Sequence, residues 1–446
     1  MDPATIGLIA FAFMLILLAM RVPIAFALIG VATAAAFMIF ALRTGTFMPE
    51  RAFRATSAMV FSNSFDLIHS FDLSMIPLFV ALGNIAYKAG ITTAVYNSAR
   101  VWLVQLRGGV AMASVIGCGG FSAISGSSVA CASTMGKICT PEMLRLGYDP
   151  KLATSSVAAG GTLGSLIPPS VLFIIYAIFT ETSVSKLFVA GVLPGILTLL
   201  GFLLVIAVWI AMDPKVAPAK EAPASREEKI QAAKEAWPAA LIFLIIVVGS
   251  YGGFFTATAA AAVSVVVTTA IGFMQRRLNL PDLWHAVRDT VIQTSSLFIV
   301  AAAAKIFVSA IALTGIAPAL VQAVSEAQLS PAMLLFCICL VYILLGMFLD
   351  PIGIMVLTLP LMIPLVEANG MDLIWFGVVV VKLLEIGLIT PPVGLNVFVL
   401  ANVVGKEAPV GTIFAGIWRF LAVDLVVLAL IVSFPAISLF LSEAVK

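Results

Sequence analysis

The chain has 446 residues, of which 62% are apolar and only 10% charged, whereas about 25% of the residues in a soluble domain are charged. Its 24 basic and 22 acidic residues nearly balance, which excludes a strongly basic nucleic-acid surface and a strongly acidic partner surface. The same composition excludes a soluble globular fold and indicates an all-α polytopic membrane protein.

In chain order, ten apolar runs approach or exceed the roughly 20 residues that cross a bilayer as a helix. The first run has no basic flank before it and is followed at once by Arg21 and a second run. It therefore predicts a spanning helix rather than a cleaved signal. The ten predicted spans cover about residues 5–20, 23–41, 73–88, 152–179, 189–212, 238–254, 256–274, 291–312, 373–403 and 419–441.

Two further apolar segments, about 110–139 and 331–364, are interrupted at their centres. The interruption is Ser-Gly-Ser-Ser at 125–128 in the first and Asp350-Pro351 in the second. Each segment has room for two short helices, so each predicts a re-entrant hairpin that enters and leaves on one face of the membrane.

The two halves of the chain carry one signature. Residues 141–169 and 364–392 align without a gap at an offset of 223, and seven of the 29 positions are identical. Both stretches end in a double proline inside a predicted span, at 168–169 and 391–392. Two prolines in a row remove helix N–H donors and clash with the preceding turn, so each pair predicts a broken helix. Matching broken helices in two halves point to the binding site of a secondary transporter.

Loop charges predict which face each hairpin opens to. Acidic residues alone flank the second hairpin, whereas the first has six basic neighbours: Lys88, Arg100, Arg107, Lys137, Arg145 and Lys151. The first hairpin is therefore predicted to open to the cytoplasm, the second to the opposite side, and the repeat to be inverted. Both termini then fall in the periplasm, although Arg43, Arg51 and Arg54 would lie outside, against the rule.

The predicted organisation follows from these elements. A charged stretch at 213–236 reads as a cytoplasmic linker with a short helix, and mixed segments at 91–105, 182–188 and 281–290 read as interfacial pieces or plain connectors. The predicted domains are scaffold helices at 1–109, a first repeat core at 110–212, the linker at 213–236, second-half scaffold helices at 237–330 and a second repeat core with the last helix at 331–446.

The hairpin turns are candidate cation sites. Glycine permits a turn inside the membrane, and the hydroxyls of Ser125, Ser127 and Ser128, with free carbonyls around Gly126, suit Na⁺. Close helix packing is the alternative role for such small residues. At the matching position of the second half, Asp350 is an aspartate at membrane depth, which favours a cation role over a simple hairpin cap.

The double-proline breaks are the stronger candidates, because a broken helix offers carbonyls to cations and a positive N-terminal end to an anion. A ligand-free proline kink is the alternative, and two symmetry-related breaks disfavour it. The residues predicted to line the site at the breaks are Pro168, Pro169, Pro391 and Pro392, and those predicted to contact substrate are Ser170 and Asn396. The predicted cation ligands at the breaks are Gly161, Thr162, Gly387, Thr390 and Gly394.

Other polar groups carry less information. Lys382 and Glu385 are three residues apart and can pair on one helix, whereas Lys305 and Asp424 stand alone in the sequence. Five cysteines lie in apolar stretches and, with only two histidines in the chain, predict packing rather than metal binding. Motifs for ATP hydrolysis, for a serine elbow and for a zinc protease are absent from the sequence, so no enzyme is predicted.

At these motifs the chain resembles the large membrane subunit of tripartite ATP-independent periplasmic (TRAP) transporters. In the first half the similarity is carried by FSAISGSSVA at 121–130, PEMLRLGYDP at 141–150, GGTLGSLIPPSVLFIIY at 160–176 and LFVAGVLPG at 187–195. In the second half it is carried by GMDLIWFGVV and EIGLITPPVGLNVFV. The resemblance covers nearly the whole chain. Cys131 departs from the small Ala or Thr usual there and affects no predicted role.

The resemblance implies an elevator-type transporter of the bacterial inner membrane that uses a Na⁺ gradient and no organic cofactor. Its implied partners are a small four-helix membrane subunit, here a separate polypeptide, and a periplasmic substrate-binding protein. The implied cargo is an organic acid such as a dicarboxylate, sialic acid, sugar acid or keto acid. The implied cation sites are the turn at 125–128, Asp350 and the two breaks.

Three other functions remain open at this point. A self-sufficient ion-coupled dicarboxylate or citrate carrier would share the inverted-hairpin design. An intramembrane enzyme would need Ser127 and Asp350 as its reactive pair without any histidine nearby. A channel would conduct downhill and ignore a binding protein.

Overall fold

The computed structural model describes residues 2–42, 47–218, 224–252 and 254–443, and all regular structure in these ranges is helical. The first half, to residue 212, holds α1 (Pro3–Ala19), α2 (Ile24–Leu42), α3 (Pro49–Ile68), α4 (Met75–Lys88), α5 (Ile91–Leu103), α6 (Gly109–Ser125), α7 (Ser128–Arg145), α8 (Pro150–Leu166), α9 (Val171–Thr180) and α10 (Val184–Met212).

The second half has the same number of helices in the described ranges. They are α11 (Arg226–Tyr251), α12 (Ala257–Met274), α13 (Leu280–Thr314), α14 (Ile316–Glu326), α15 (Pro331–Gly346), α16 (Pro351–Ala368), α17 (Leu373–Ile389), α18 (Leu395–Val404), α19 (Val410–Ser433) and α20 (Ala436–Ser442). Within the described residues, eight helical stretches are long and apolar enough to cross a membrane.

Helix boundaries recur at the offset of 223. The helix pair α7 and α16, and likewise the pair α8 and α17, start and end at residues that differ by this number. The helices break where the double prolines stand: α8 gives way to α9 across residues 167–170, and α17 to α18 across residues 390–394. Both Pro-Pro peptide bonds are cis.

The largest buried cluster joins the two sets of broken helices. The hairpin helices α6 and α7 pack on α8, α15 and α16 pack on α17, and α8 packs directly on α17 and α19. A second buried cluster joins α1 and α2 to the last third of α13 and to Val356 and Leu357 of α16. The cavities described below lie between α3, α4 and α13 on one side and the hairpins and broken helices on the other.

The linker begins against the base of the first hairpin. The backbone N–H of Asp149 donates to the carbonyl of Val216 at 2.9 Å, and the Arg107 guanidinium donates to the carbonyl of Pro214 at 2.6 Å. Ser225 then starts α11 with a capping box, in which its hydroxyl accepts from the N–H of Glu228.

Three sequence predictions of separate short pieces are wrong. Residues 184–188 are the start of α10, residues 281–290 are the first third of the 35-residue α13, and the helix predicted after the linker runs unbroken through Pro238 into the next span. Charged residues at a helix end lower the local hydropathy without ending the helix, because their side chains reach water.

The helix α3 was not predicted, because its sequence is amphipathic and contains two arginines among polar residues. A hydropathy criterion for spanning helices passes over such a segment. The span predicted at 419–441 is two helices, since α19 ends at Ser433 and α20 begins after Pro435. The segment 91–105, predicted as an interfacial piece or a connector, contains α5, which is bent by 63° from α4.

Candidate functional site

A cavity of about 680 Å³ lies where the turns of the two hairpins meet α4 and α13. Residues 125–128 and Asp350 contribute from the hairpins, and Leu388 and Leu395 contribute from either side of the second break. The opposite wall is formed by α4 around Asn84 and by α13 around Gln293. Both predicted hairpin turns therefore reach one cavity.

The first turn is fastened to the first break. Gly126 ends α6 with φ of +64°, and its carbonyl accepts a hydrogen bond from the N–H of Val171 at 3.1 Å. A Cβ on Gly126 would lie 2.6 Å from the Pro169 carbonyl oxygen. Only glycine satisfies both the left-handed backbone and this close approach. The turn and the break are thus one packed unit.

Hydroxyl groups continue this unit into the core. The Ser128 hydroxyl donates to the Thr162 carbonyl at 3.2 Å and also contacts the Ser165 hydroxyl. The Ser127 hydroxyl accepts from the N–H of Ala130 and caps α7. The buried Ser125 hydroxyl oxygen has no hydrogen-bond partner among the described residues, although it belongs to the cavity lining. A buried hydroxyl normally has a hydrogen-bond partner, so the unpartnered Ser125 hydroxyl is a candidate ligand for a bound ion.

The second turn is built differently. The carboxylate of Asp350 accepts from the N–H of Gly353 at 2.9 Å and caps α16, and Asp350 also lines the cavity. The two roles weighed from the sequence, cap and cavity charge, are therefore both compatible with its position. Behind the turn, a Cβ on Gly346 would lie 2.9 Å from the Cα of Gly387, so these glycines let α15 and α17 cross closely.

None of the four prolines predicted to line the site, Pro168, Pro169, Pro391 and Pro392, is among the described lining residues of this cavity. Pro168 and Pro169 are buried beneath the first turn, whereas Pro391 is half-buried and Pro392 is exposed elsewhere on the surface. The prolines end one helix and redirect the chain, so the residues on either side of each break reach the cavity in their place.

The cation ligands predicted at the breaks also lie outside the lining. The Thr390 hydroxyl donates a hydrogen bond to the Ile386 carbonyl at 2.5 Å. Gly394 precedes the first residue of α18 and has φ of +55°. Gly161 packs against Ala132, where an added Cβ would come within 2.9 Å of the alanine methyl. The residues predicted as ligands that do not line the cavity in the described state are Gly161, Thr162, Gly387, Thr390 and Gly394.

Neither predicted substrate contact lines the cavity. The Ser170 hydroxyl donates to the Ser165 carbonyl, and the Asn396 amide donates to the Ala158 carbonyl at 3.4 Å. Both side chains are fully buried against α8. In the described state they hold the two breaks against α8 rather than facing the open space.

Sequence reasoning missed the facing wall. Asn84 of α4 donates to the Thr290 hydroxyl of α13 at 3.0 Å, and Gln293 and Ser296 follow on α13 at helical spacing toward the cavity. Among the described lining residues Asp350 is the only charged one, and none is a lysine or arginine. The available signal was the recurrence of polar residues at 290, 293 and 296 within an apolar helix.

A buried charged set lies next to the second break. The Lys382 ammonium is 2.6 Å from an Asp424 carboxylate oxygen, 3.3 Å from a Glu385 carboxylate oxygen and 3.0 Å from the Thr198 hydroxyl. All three ionisable side chains are fully buried. The predicted Lys382–Glu385 pair is confirmed, but Asp424 is not isolated, because α17 and α19 meet at this point.

Lys305 also has a partner. Its ammonium lies 3.9 Å from an Asp66 carboxylate oxygen, so the sequence-based description of Lys305 as isolated is wrong. The partner was missed because α3 was not predicted as a helix. In the described part of the chain, no three His, Cys, Asp or Glu side chains are grouped as metal ligands.

The chain matches a protein-family model, "Tripartite ATP-independent periplasmic transporter, DctM component", over residues 11–437. The C4-dicarboxylate TRAP transporter large permease protein DctM of Pseudomonas aeruginosa is 35% identical, over 84% of this chain and 87% of that protein. The sialic acid TRAP transporter permease protein SiaT of Haemophilus influenzae is 30% identical, over 86% of this chain and 61% of that longer protein.

Among solved structures, MtrF of Neisseria gonorrhoeae, described as one of a class of antimetabolite efflux pumps, superposes with a TM-score of 0.62 at 14% identity. The match covers 99% of this chain and 95% of that one, and at this identity it shows a shared fold only. The family match spans both hairpins, both breaks and the cavity between them. This multi-pass membrane protein belongs to the DctM family, the large permease subunits of TRAP transporters.

Proposed function

We propose that this chain is the cargo-moving subunit of a Na⁺-coupled importer of an organic acid. The observation that carries the proposal is the single cavity that both hairpin turns line, with the first helix break hydrogen-bonded to the first turn and residues from either side of the second break in the lining. A site built from two broken helices and two turns supplies carbonyls and hydroxyls for cations and helix N-termini for an anion.

Moving and static parts are proposed from the packing. The repeat cores at 110–212 and 331–446 would form the moving body, since α6 and α7 pack on α8, α15 and α16 pack on α17, and α8 packs on α17. The helices of 1–109 and 237–330 would form the scaffold, and the cavity lies between the two bodies. The recurrence of helix boundaries at 223 supports two repeats, and the opposed loop charges support their inversion.

The cation ligands are proposed at both turns. Around the first turn, the unpartnered Ser125 hydroxyl and the backbone carbonyls of residues 125–128 offer neutral oxygens. The second turn offers the carboxylate of Asp350. Oxygen-only donors suit a hard cation such as Na⁺. Because no lysine or arginine is among the described lining residues, bound Na⁺ would also supply the charge that an organic anion needs.

The described state is proposed to face the cytoplasm. The cavity lining includes Tyr87 and Thr134, which stand close in sequence to Lys88 and Lys137. These lysines, at the end of α4 and within α7, are among the basic residues that predict the cytoplasmic face. The cavity is therefore open toward the release side.

The cargo and the partners follow from the family. The relatives are named for C4-dicarboxylates and sialic acid, both organic acids, and they belong to tripartite systems. We therefore expect a small membrane subunit as a stable partner and a periplasmic binding protein that delivers the cargo. Exposed apolar side chains on α1, such as Leu8, Ile9 and Phe13, lie on the proposed scaffold and are accessible to lipid or to the small subunit.

The test is uptake by proteoliposomes that contain this chain with its small subunit, supplied with the binding protein and a radiolabelled organic acid. We expect accumulation only when Na⁺ is higher outside and only with the binding protein present. A choline gradient in place of Na⁺ is the control. Uptake by this chain alone would instead identify a self-sufficient carrier, and uptake indifferent to Na⁺ would contradict the coupling.

A further inference from the structure

A second cavity, of about 470 Å³, lies between the same two groups of helices and is not used by the function proposed above. One wall comes from α3 and the residues after it, including Asn63 and Ser70, and from α13, including Lys305 and Ser309. The facing wall is the connection from α9 to α10 around Glu181, not a hairpin turn.

The two cavities follow one another along a single helix. The first is lined by α13 at residues 292–297, and the second by the same helix between Ala301 and Ser309. Lys305 lies 12 residues beyond Gln293 on this unbroken helix, a rise of about 18 Å. The second cavity is therefore displaced along the scaffold by about the half-thickness of a bilayer core.

The repeat relates the scaffold walls of the two cavities. Ser70 and Leu73 of the second cavity stand 223 residues before Gln293 and Ser296 of the first. Positions that match at this offset therefore face open space in both halves, once within α13 beside the hairpin turns and once between α3 and α4 away from them. In an inverted repeat, such equivalent positions are exchanged between the two access states.

The two cavities differ in charge. The first holds only the carboxylate of Asp350 among its described lining residues. The second is lined by the Glu181 carboxylate and by the Lys305 ammonium, which is 39% exposed and makes one long contact of 3.9 Å with the more exposed Asp66. A contact of this length at an exposed site holds the two side chains together only weakly.

We propose that the second cavity is the scaffold half of an outward-facing cargo site, and that Lys305 is its contact for the carboxylate of an organic anion. The inference rests on the proposed function, because the hairpin turns must slide about 18 Å along α13 to reach it. An incoming acid then meets a lysine on the outer side and no basic side chain on the inner side. Capture is favoured outside and release inside, whatever the Na⁺ gradient contributes.

Cross-linking tests the geometry without measuring transport. In a variant with the five native cysteines replaced by serine or alanine, Ser127→Cys is combined with Ser296→Cys for the inner position or with Ser309→Cys for the outer position. We expect both pairs to form disulfides in membranes, the outer pair in a fraction that changes with Na⁺ or cargo. Ser127→Cys with Ser325→Cys, which is on α14 outside both cavities, is the negative control.

Each result bears on the proposal. An outer pair that never links, while the inner pair does, overturns it. If both pairs form disulfides in fractions that do not change with Na⁺, the result supports the second site. It then contradicts only the coupling ion of the proposed function.

Kinetics test the role of Lys305. We expect Lys305→Met to raise the KM of the binding-protein-dependent uptake by about tenfold, with a smaller change in exchange measured from the inside. Lys305→Glu should raise the KM for uptake further, because the introduced carboxylate repels the acid.

Asp66→Asn is the matched control, because it breaks the same ion pair and keeps the lysine. A role confined to the ion pair predicts equal losses in Lys305→Met and Asp66→Asn. Direct contact with cargo predicts that Asp66→Asn keeps uptake at or above the original level. Equal losses would therefore overturn the assignment of Lys305.

Discussion

The two hairpin turns lie at matching positions in the two halves and make the same backbone contact, yet they differ in chemistry. Ser127 and Asp350 stand 223 residues apart, and each caps the following helix by accepting the N–H three residues on. The first turn is buried and fastened to its break through Gly126, whereas the second presents a carboxylate to the cavity. Geometry is shared between the halves, and charge is not.

The same asymmetry recurs deeper in the core. Lys382, Glu385 and Asp424 of the second half correspond at the offset of 223 to Ala159, Thr162 and Gly201. The second half therefore carries both the cavity charge and the buried charged set. The first half supplies neutral oxygens and close packing. The two halves thus share helix boundaries but not charge.

The largest effect is expected at the buried charged set. Lys382→Met leaves two carboxylates without their cation in a site closed to water, which should cost about 3–5 kcal/mol of folding stability. The measurement is the fraction of protein that stays monodisperse after heating in detergent. The triple change Lys382→Met, Glu385→Gln and Asp424→Asn removes all three charges and should recover most of this loss. Equal instability of both variants would show that packing, not charge, dominates there.

A large effect is also expected at the first turn. Gly126→Ala combines a positive φ with a Cβ 2.6 Å from the Pro169 carbonyl, so the turn must separate from the break at a cost of about 1–3 kcal/mol beyond the backbone strain. The control is Gly147→Ala, which has φ of +84° and no atom within 4 Å of the added Cβ. Comparable stability of the two variants would mean that the turn and the break are not one unit.

Charge at the second turn is expected to affect ion use rather than folding. Asparagine also caps helices, so Asp350→Asn should fold normally and raise the Na⁺ concentration for half-maximal uptake by about tenfold. Asp372→Asn is the matched control, because Asp372 caps α17 in the same way and lies outside this cavity. An unchanged Na⁺ dependence in Asp350→Asn would remove this carboxylate from the cation site.

Substitution of Ser125 is expected to have the smallest effect on stability and still to weaken Na⁺ binding. Its buried hydroxyl has no partner among the described residues, so Ser125→Ala should leave the melting temperature unchanged or slightly raised while weakening Na⁺ binding. Ser114→Ala on the same helix is the control, since that hydroxyl already donates to the Val110 carbonyl at 2.9 Å. A clear drop in melting temperature for Ser125→Ala would indicate a structural role instead.

Local signals made the hairpins and breaks predictable. Glycine, serine and proline act on the backbone within a few residues, so the turns at 126–127 and 347–350 and both breaks lie where the sequence placed them. Their grouping followed from the repeat, because two halves with matching interruptions tend to share one site. Which side chains at a break face the cavity was not predictable, since a proline fixes where a helix ends but not what packs against its ring.

The cavity wall opposite the turns was not predictable in this way. Asn84 and Gln293 are more than 200 residues apart, and only the packing of α4 on α13 brings them to one surface. The pairing of Lys382 with Asp424 of α19 was not predictable for the same reason, because only tertiary packing brings the two residues together. The amphipathic α3 escaped detection because its burial is decided by neighbours rather than by its own hydropathy.

The connections between the proposed moving body and the proposed scaffold set a mechanical limit. Between Val216, which is held to the base of the first hairpin, and Ser225, which begins α11, eight residues of chain can bridge at most about 30 Å. The other two connections are shorter, with five residues between α5 and α6 and four between α14 and α15. A stroke of about 18 Å is within the reach of the linker, so the two short connections, rather than the linker, limit how far the moving body can travel.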